Sequence, residues 1–331
     1  MVGRRLRLLP LVLLAFGALP SSTALAVPQG PLCLLSTTGS LRPQETIDRL
    51  VATDSGRLVL IVGGFNSKPG DMRFYEPLAA RFPDYEVRYF GQRDGYYDTL
   101  GDVDVNAVSL CNSVRTSVRR DDLGKVHLIC HSMGAFTIDH AYTHSLGADD
   151  NVVSYTALAG AHNGAFAAKA ANVAARLAPS TSYLADKVIH LSGQEPAVRS
   201  LANLQPARAP RRVRTLNLRA LEDPVLLGRD SHLEGAREAT LHVHPLEAHG
   251  GIAQDQRALQ LVEANVRGDP VQLTYEEETG NAVLRSVFDV VHGSLIVGAA
   301  MVLVGVNPTL QPVHLAWMAA DRMRETLVGA K

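Results

Sequence analysis

The sequence is poor in aromatic residues, cysteine and lysine. Its 331 residues are 5% aromatic and include three cysteines and one tryptophan. Only five of the 32 basic residues are lysines, a bias typical of GC-rich bacterial genomes and not of a binding function. No internal repeat, nucleotide-binding loop or cluster of metal ligands stands out, so we expect no metal and no cofactor. What is left is an ordinary globular composition, 46% hydrophobic and 20% charged, long enough for one large core.

The first 26 residues have the pattern of a secretory signal peptide. Three arginines precede the apolar segment 8–19, and the small residues of 24–26 form a cleavage site. The apolar segment is shorter than the roughly 20 residues that a membrane-spanning helix needs. We therefore predict that residues 1–26 are removed and that the mature protein is secreted, or held in the periplasm or cell envelope.

Loss of this signal peptide makes the chain mildly acidic. The three arginines leave with it, so 29 basic residues face 33 acidic ones and the net charge is near −4. Such a charge does not favour nucleic acid as a partner. We expect a monomer that acts on a small molecule or a lipid.

Strand and helix patterns alternate from Arg57 onward, which predicts an α/β fold with a mostly parallel, doubly wound sheet flanked by helices. Residues 58–62 form a continuous apolar run, as a strand buried on both faces requires. The run ends in Gly63-Gly64-Phe65, and without further information this is simply a glycine turn that closes a βα unit.

A later apolar strand, residues 126–131, runs directly into a turn of small residues that carries Ser132. A helical pattern follows from residue 135, so the serine would stand between a strand and the N-terminus of a helix. Gly134 would let the helix approach the strand closely, and the N–H group of Met133 would be left for a developing oxyanion. The alternative is that Ser132 only caps the helix.

The segment Cys130-His131-Ser132-Met133-Gly134 resembles the G-x-S-x-G nucleophile elbow of α/β-hydrolases, in particular the G-H-S-M-G form of lipases and esterases. It departs at Cys130, a small residue in the place of the first glycine. The resemblance implies the α/β-hydrolase fold, with Ser132 as the nucleophile and the N–H group of Met133 as one oxyanion donor. It also implies that His131 binds substrate.

The same resemblance gives roles to two further turns. In that family the residue after the glycines supplies the second oxyanion N–H, which by position is Phe65, with Gly64 beside the substrate. The turn 161–165 is similar to the T-P-H-x-G-S turn of secreted lipases, with His162 and Gly164 matching and two alanines where Pro and Ser are usual. The family's histidine is structural or lines the cleft, so we assign His162 to substrate binding and not to the role of base.

An acid and a base follow two later strands. Asp223 comes just after the strand 213–220, where the family holds its triad acid, and Glu222 and Asp230 are the neighbours that could displace it. His249 lies between the last strand and the last helix, which is the position of the family's base. The order Ser, Asp, His, each directly after a predicted strand, is that of the α/β-hydrolases.

Three segments fall outside the predicted sheet. Residues 27–56 are an N-terminal arm before the hydrolase domain, which we place at 57–267. The alanine-rich stretch 165–205 is too long for a plain connection and is predicted to form a helical lid or cap, the alternative being a helical hairpin packed on the sheet. Residues 268–331 are predicted to form a C-terminal helical extension with a buried apolar helix at 293–306. The alternative is that this apolar segment is a membrane-surface or partner-binding element.

A disulfide and a cleft loop complete the predictions. In an oxidising compartment, Cys130 inside the elbow strand leaves Cys33 and Cys111 as the pair that would form a disulfide. The loop 91–101 is rich in Asp, Tyr and Gly and would lie beside the site at the carboxyl ends of the strands. Its tyrosines either line the substrate cleft or lie on the surface.

These features predict a secreted serine hydrolase of the lipase or esterase type that cleaves carboxylic esters. His249 would take the proton of Ser132 as it attacks the carbonyl, Asp223 would orient the imidazolium, and water would release the acyl group. The lipase-like turns favour a lipid or medium-chain ester substrate and contact with a lipid surface. The alternatives are a secreted acyltransferase with the same acyl-enzyme and a hydrolase-fold binding protein with a degenerate site.

Overall fold

The computed structural model describes the chain between residues 57 and 296, with gaps. The described residues are 57–65, 67, 73–92, 96–120, 123–144, 146, 150–177, 195–203, 205–223, 225–243, 248–280, 286–294 and 296. The predicted signal peptide, the whole N-terminal arm, the middle of the predicted lid and the end of the C-terminal extension lie outside them. Cys33 of the predicted disulfide also lies outside them.

Six strands form one parallel sheet. They are β1 (Arg57–Val62), β2 (Glu86–Tyr89), β3 (Lys125–His131), β4 (Val152–Leu158), β5 (Arg214–Ala220) and β6 (Arg237–Leu241). Their order in space is β2-β1-β3-β4-β5-β6, and every neighbouring pair is parallel. The chain moves from β1 to one edge and then returns to fill the other side, which confirms the predicted α/β class with a doubly wound parallel sheet.

Helices connect the strands. They are α1 (Glu76–Ala79), α2 (Val103–Arg120), α3 (Met133–His144), α4 (Phe166–Leu177), α5 (Pro196–Leu201), α6 (Ala248–Gly251), α7 (Gln256–Arg267) and α8 (Tyr275–Thr279). Residues 286–294 are also helical. Helix α7 shows why the boundaries fall where they do, because the Asp255 carboxylate accepts from the N–H of Ala258 at its start and Gly268 ends it with a φ of 81°.

The sheet lies between two apolar cores. Alternate side chains of a strand point to opposite faces, and in β1 Leu58, Leu60 and Val62 pack with the buried side of α2 and α3. Val59 and Ile61 pack on the other face with α1 and α7. Because β1 is buried on both faces, its sequence is a continuous apolar run and does not alternate.

Two predicted elements differ from the observed ones. The helical pattern of residues 72–82 predicts three turns, but the helix covers only Glu76–Ala79 after a single 3-10 turn. Pro77 favours the first turn of a helix, and Pro83 disfavours helical backbone at the residue before it, so the segment is short. The strand predicted at 240–244 runs from Arg237 to Leu241, three residues earlier.

The predicted lid segment contains two observed helices, α4 and α5, which pack on each other and on the elbow side of the sheet. Residues 178–194 between them lie outside the described residues, so the lid stays a prediction. None of the helices in the described ranges combines the length and hydropathy needed to cross a bilayer.

Candidate active site

The carboxyl ends of β1 and β3 lie side by side at the point where the order of the sheet reverses. Val62, the last residue of β1, is in register with Cys130, next to the end of β3. In open α/β sheets, a crevice forms outside the strand ends at such a point because the following turns leave in opposite directions. The turn after β1 and the turn after β3 therefore face the same space.

Ser132 sits in a strained turn between β3 and α3. Its φ is 56°, in the left-handed region that residues with a side chain rarely adopt. The turn is held on both sides, since the Ser132 N–H donates to the carbonyl of Leu158 at 3.1 Å and its own carbonyl accepts from Ala135 and Ala161 at 3.1 and 3.0 Å. This backbone lifts the serine hydroxyl to the edge of the sheet.

Two glycines give the serine its surroundings. A Cβ atom at Gly134 would collide with the main-chain carbonyl oxygen of Val62, so only glycine lets α3 pack this closely on the end of β1. A Cβ atom at Gly64 would lie 2.7 Å from the Cβ of Ser132 and 3.2 Å from its Oγ. The turn after β1 therefore lies against Ser132, and substrate binding by Gly64 stays a prediction.

Ser132, His249 and Asp223 form a continuous hydrogen-bonded chain. The Ser132 hydroxyl and His249 Nε2 are 2.8 Å apart, and His249 Nδ1 and Asp223 Oδ2 are also 2.8 Å apart. Because the carboxylate accepts the proton on Nδ1, Nε2 keeps a lone pair that faces the serine hydroxyl. The structure therefore brings the three predicted residues together in the geometry that activates a serine.

The Asp223 carboxylate is held in position by its own loop. Asp223 is 6% exposed, and its Oδ1 accepts from the N–H groups of Val225 at 2.7 Å and Leu226 at 3.0 Å. With one oxygen held by the main chain, the other is aimed at His249.

The two neighbouring acids have other partners. Glu222 contacts the exposed His242 at 3.0 Å, and Asp230 accepts from the N–H groups of Phe166 at 2.9 Å and Leu227 at 3.1 Å. Neither carboxylate is bonded to His249. The structure thus leaves Asp223 as the acid beside the histidine.

Two main-chain N–H groups beside the serine have no hydrogen-bond acceptor among the described residues, those of Phe65 and Met133. Phe65 follows the glycine that touches Ser132, and Met133 is the first residue of α3, where an N–H group has no partner within the helix. Both are the predicted oxyanion donors. Their surroundings are apolar, because Met133 is 1% exposed and Phe65 packs against the same cluster.

The comparisons with known proteins agree with this geometry. Residues 52–202 match the family described as "Putative serine esterase (DUF676)". The matched stretch includes β1, the elbow and Ser132, which stand in the order and geometry described above. Residues 52–202 are therefore similar to this serine esterase family, and the six-stranded parallel sheet with its flanking helices has the α/β-hydrolase fold that the elbow predicts.

Solved structures similar to this chain include a lipase from Bacillus licheniformis, BlEst2 in mature form, at 16% identity over 61% of this chain and 90% of that chain, with a TM-score of 0.42. An esterase from Thermogutta terrifontis has 15% identity, 65% and 90% coverage and a TM-score of 0.43. Aspergillus fumigatus lipase B has 14% identity, 87% and 74% coverage and a TM-score of 0.45. No curated protein matches the chain.

His131 supports the loop that carries His249. It is 7% exposed, its Nε2–H donates to the main-chain carbonyl of His249 at 2.7 Å, and its Nδ1 faces the hydroxyl of Tyr75 at 3.3 Å. Burial, followed by the nearby His249, lowers the pKa of His131 to about 4, so the ring is neutral at ordinary pH. Alternate residues of β3 face opposite sides of the sheet, which places the ring against the His249 loop, so the geometry favours a structural role for His131 over the predicted substrate contact.

His162 is likewise part of the interior. It is 1% exposed, its Nδ1 is 2.7 Å from Asp139 Oδ2, and its Nε2 is 3.3 Å from Asn217 Oδ1. The amide group of Asn217 donates to Ser231, so the oxygen is the atom that faces the histidine. Of the two roles that the resemblance allowed for His162, the geometry favours the structural one over substrate contact.

The loop tyrosines divide between the two predicted alternatives. Tyr97 is 7% exposed and its hydroxyl donates to the carbonyl of Gly63 at 2.5 Å, in the turn next to the nucleophile. Tyr96 is 56% exposed. Sequence reasoning missed Tyr75 and Asp139, because each meets its partner across a long chain separation that no local pattern records.

Proposed function

We propose that this chain is a serine esterase that cleaves carboxylic esters through an acyl-enzyme. The observation that carries the proposal is the 2.8 Å contact between the Ser132 hydroxyl and His249 Nε2, with Asp223 at 2.8 Å on the other ring nitrogen. The match to a serine esterase family over residues 52–202 supports ester hydrolysis in general. The residue roles rest on the geometry.

Acylation begins with attack of the Ser132 oxygen on the ester carbonyl carbon. His249 Nε2 accepts the hydroxyl proton as the new C–O bond forms, and Asp223 stabilises the imidazolium that results. The carbonyl oxygen becomes negatively charged and takes hydrogen bonds from the N–H groups of Phe65 and Met133, which have no other acceptor among the described residues. The imidazolium then protonates the alcohol as it leaves.

Deacylation repeats these steps with water. His249 removes a proton from a water molecule, which attacks the acyl carbon, and the same two N–H groups hold the second oxyanion. Collapse of this intermediate releases the acid and returns the proton to Ser132. No group outside the chain is needed, since the proton moves only between His249, serine, alcohol and water.

The acyl part of the substrate is expected to be apolar. An apolar cluster lies at the carboxyl edge of the sheet beside the serine and joins the oxyanion turns to α4 and α5. It consists of Val103, Met133, Phe136, Ala161, Ala165, Ala168, Ala197, Val198, Leu201 and Leu226, with Phe65, Ala202 and Val225 packed against it. An acyl chain that packs against the partly buried side chains at the edge of this cluster, Phe65 and Val225, would gain roughly 0.8 kcal/mol for each methylene group that it buries.

A fluorophosphonate probe tests the proposal directly, because it reacts only with an activated serine. We expect labelling of the protein at Ser132, mapped by mass spectrometry of the labelled peptide, and no labelling of Ser132→Ala or His249→Ala. His242→Ala is the matched control, since His242 is a nearby exposed histidine bonded to Glu222. Absence of labelling in folded protein, with and without detergent micelles, would contradict an activated serine.

An acyl-chain series of p-nitrophenyl esters then measures the substrate range. Hydrolysis that increases from acetate to medium-chain esters would support the apolar cluster as the acyl site. Adding a small alcohol as a competing acceptor separates hydrolysis from acyl transfer, since a transferase would form the new ester in preference to the free acid.

A further inference from the structure

The turn after β1 is held in place by a serine that follows it. Ser67 folds back on the turn, and its N–H and Oγ–H groups both donate to the carbonyl oxygen of Gly64, at 3.2 and 2.7 Å. Ser67 also lies close to Gly63, because a Cβ atom at Gly63 would collide with the Ser67 hydroxyl. Two donors from one residue therefore fix a single carbonyl group.

That carbonyl shares a peptide plane with a proposed oxyanion donor. The Gly64 carbonyl and the Phe65 N–H belong to the same peptide, and the described chain has no cis peptide bond. In a trans peptide the C=O and N–H bonds point in opposite directions within one rigid plane. The bonds from Ser67 to the oxygen therefore set the direction of the Phe65 N–H.

The preceding peptide plane is held as well. The Gly63 carbonyl accepts from the hydroxyl of the buried Tyr97 at 2.5 Å. With this plane anchored through its carbonyl, the Gly64–Phe65 plane still has freedom to rotate about Gly64, a residue without Cβ restraint. Ser67 is the side chain that removes this freedom.

The Phe65 N–H itself is left without an acceptor among the described residues, next to the nucleophile that Gly64 touches. An N–H group without an acceptor is unfavourable, and a peptide free to rotate would turn toward a better partner. Holding such a donor ready in advance is what makes an oxyanion site effective, since no reorganisation is needed when charge develops.

We propose that Ser67 is a positioning residue for the oxyanion hole: by holding the Gly64 carbonyl it keeps the Phe65 N–H directed at the developing oxyanion. This inference rests on the proposed esterase function of the same site. Ser67 touches no reacting atom and acts through the Gly64–Phe65 peptide.

The test is a series of variants at position 67 assayed with one ester and one transition-state analogue. We expect Ser67→Ala to lower kcat about tenfold with KM unchanged, less than the 100-fold or more for loss of a whole oxyanion donor, because the main-chain N–H of residue 67 still holds the carbonyl. Ser67→Thr, which keeps the hydroxyl, should restore most of the rate.

The transition-state analogue separates this role from a general effect on folding. A phenylboronic acid forms a tetrahedral adduct with the serine and places an oxygen in the oxyanion hole. Across Ser67→Ala, Ser67→Cys and Ser67→Thr, its inhibition constant should increase by the same factor by which kcat/KM decreases. Thr143→Ala is the matched control, since it deletes a hydroxyl bond of 2.8 Å to the carbonyl three residues earlier, on α3, and should change neither quantity.

Two outcomes overturn the inference. If Ser67→Ala keeps the wild-type kcat and inhibitor affinity, the Gly64–Phe65 peptide keeps its orientation without the Ser67 hydroxyl. If the rate losses follow thermal stability but not inhibitor affinity, Ser67 has a folding role instead. Failure of the proposed function looks different, because then wild-type protein neither hydrolyses esters nor binds the boronic acid.

Discussion

The molecule contains two histidine–carboxylate pairs of nearly equal geometry, and only one stands at a candidate catalytic site. His249 and Asp223 are 2.8 Å apart, and His162 and Asp139 are 2.7 Å apart. Each carboxylate bonds to Nδ1 of its histidine. A close contact with a carboxylate therefore does not by itself make a histidine a catalytic base.

The difference lies at the second ring nitrogen and in access. His249 Nε2 faces the Ser132 hydroxyl, a donor, so it keeps a lone pair to take a proton. His162 Nε2 instead faces the amide oxygen of Asn217 at 3.3 Å, which has no proton to give up. The His162 side chain is 0% exposed against 16% for His249. One pair can accept a proton from a reactant, whereas the other ties α3 and the turn after β4 to β5.

The largest expected effect comes from removing the proposed nucleophile, Ser132, or the proposed base, His249. Ser132→Ala or His249→Ala should lower kcat by a factor on the order of 10⁵ to 10⁶, because the two act as a unit in forming the acyl-enzyme. Steady-state hydrolysis of a p-nitrophenyl ester measures it, after trace contaminating esterase has been removed. If the double variant is slower than either single variant by another large factor, the two residues do not act together.

Replacing each of the two aspartates by asparagine tests the comparison between the two histidine–carboxylate pairs. Asp223→Asn should lower kcat roughly 10³- to 10⁴-fold, because an amide favours the wrong tautomer of His249. Asp139→Asn should leave kcat per folded molecule within about threefold and reduce the free energy of unfolding, since Asp139 also accepts from Tyr155 at 3.1 Å. The reverse pattern, with kcat falling in Asp139→Asn at unchanged stability, would refute the division between the pairs.

The buried pair should matter most for stability. His162→Leu leaves the buried Asp139 carboxylate without its histidine partner and should lower the free energy of unfolding by about 3 to 5 kcal/mol. The matched change at an exposed pair, His242→Leu, should cost less than about 1 kcal/mol, because solvent screens its bond to Glu222. Urea denaturation of both variants measures the difference, and equal losses would contradict it.

The smallest expected effect concerns His127, a buried histidine without a carboxylate hydrogen bond among the described residues. Burial, followed by the charges of Arg214, Arg57 and Lys125, lowers the pKa of His127 to about 3. Since its ordinary pKa is near 6.5, the unfolded chain takes up a proton below pH 6.5 while the folded chain does so only near pH 3. Stability contributed by the neutral ring is thus complete above pH 6.5 and lost as the pH falls toward 3.

This loss is measured by urea denaturation at pH 7, 6 and 5. The wild-type protein should lose about 1.4 kcal/mol per pH unit more than His127→Gln between pH 6 and 5, because one proton fewer is taken up on unfolding of the variant. Equal slopes for the two proteins would mean that His127 titrates normally in the fold.

The parts of the site that the sequence predicts are the parts encoded locally. Ser132 follows an apolar strand and precedes a glycine and a helix, and Asp223 follows a strand end, so each position can be read within about ten residues. The order of the strands then brings these turns to one edge, because parallel strands share a carboxyl end.

The parts that the sequence did not predict depend on distant contacts. The Tyr75 contact of His131 joins residues 56 apart, and its bond to the His249 carbonyl joins residues 118 apart. The resemblance to lipase turns assigns His131 and His162 to substrate binding, but burial of a side chain is a property of the packed sheet. Position alone therefore placed His131 in the cleft, whereas packing places it behind the catalytic loop.

The order of the strands also has a consequence for synthesis. A ribosome finishes β1, β3 and the serine turn early, but the base arrives 117 residues after the serine, beyond the edge strand β6. By the proposed mechanism, a nascent chain, or one cut between these points, carries Ser132 without its base. We therefore expect no turnover until the last strand is in place, so that turnover reports the integrity of β6 and of the loop that follows it.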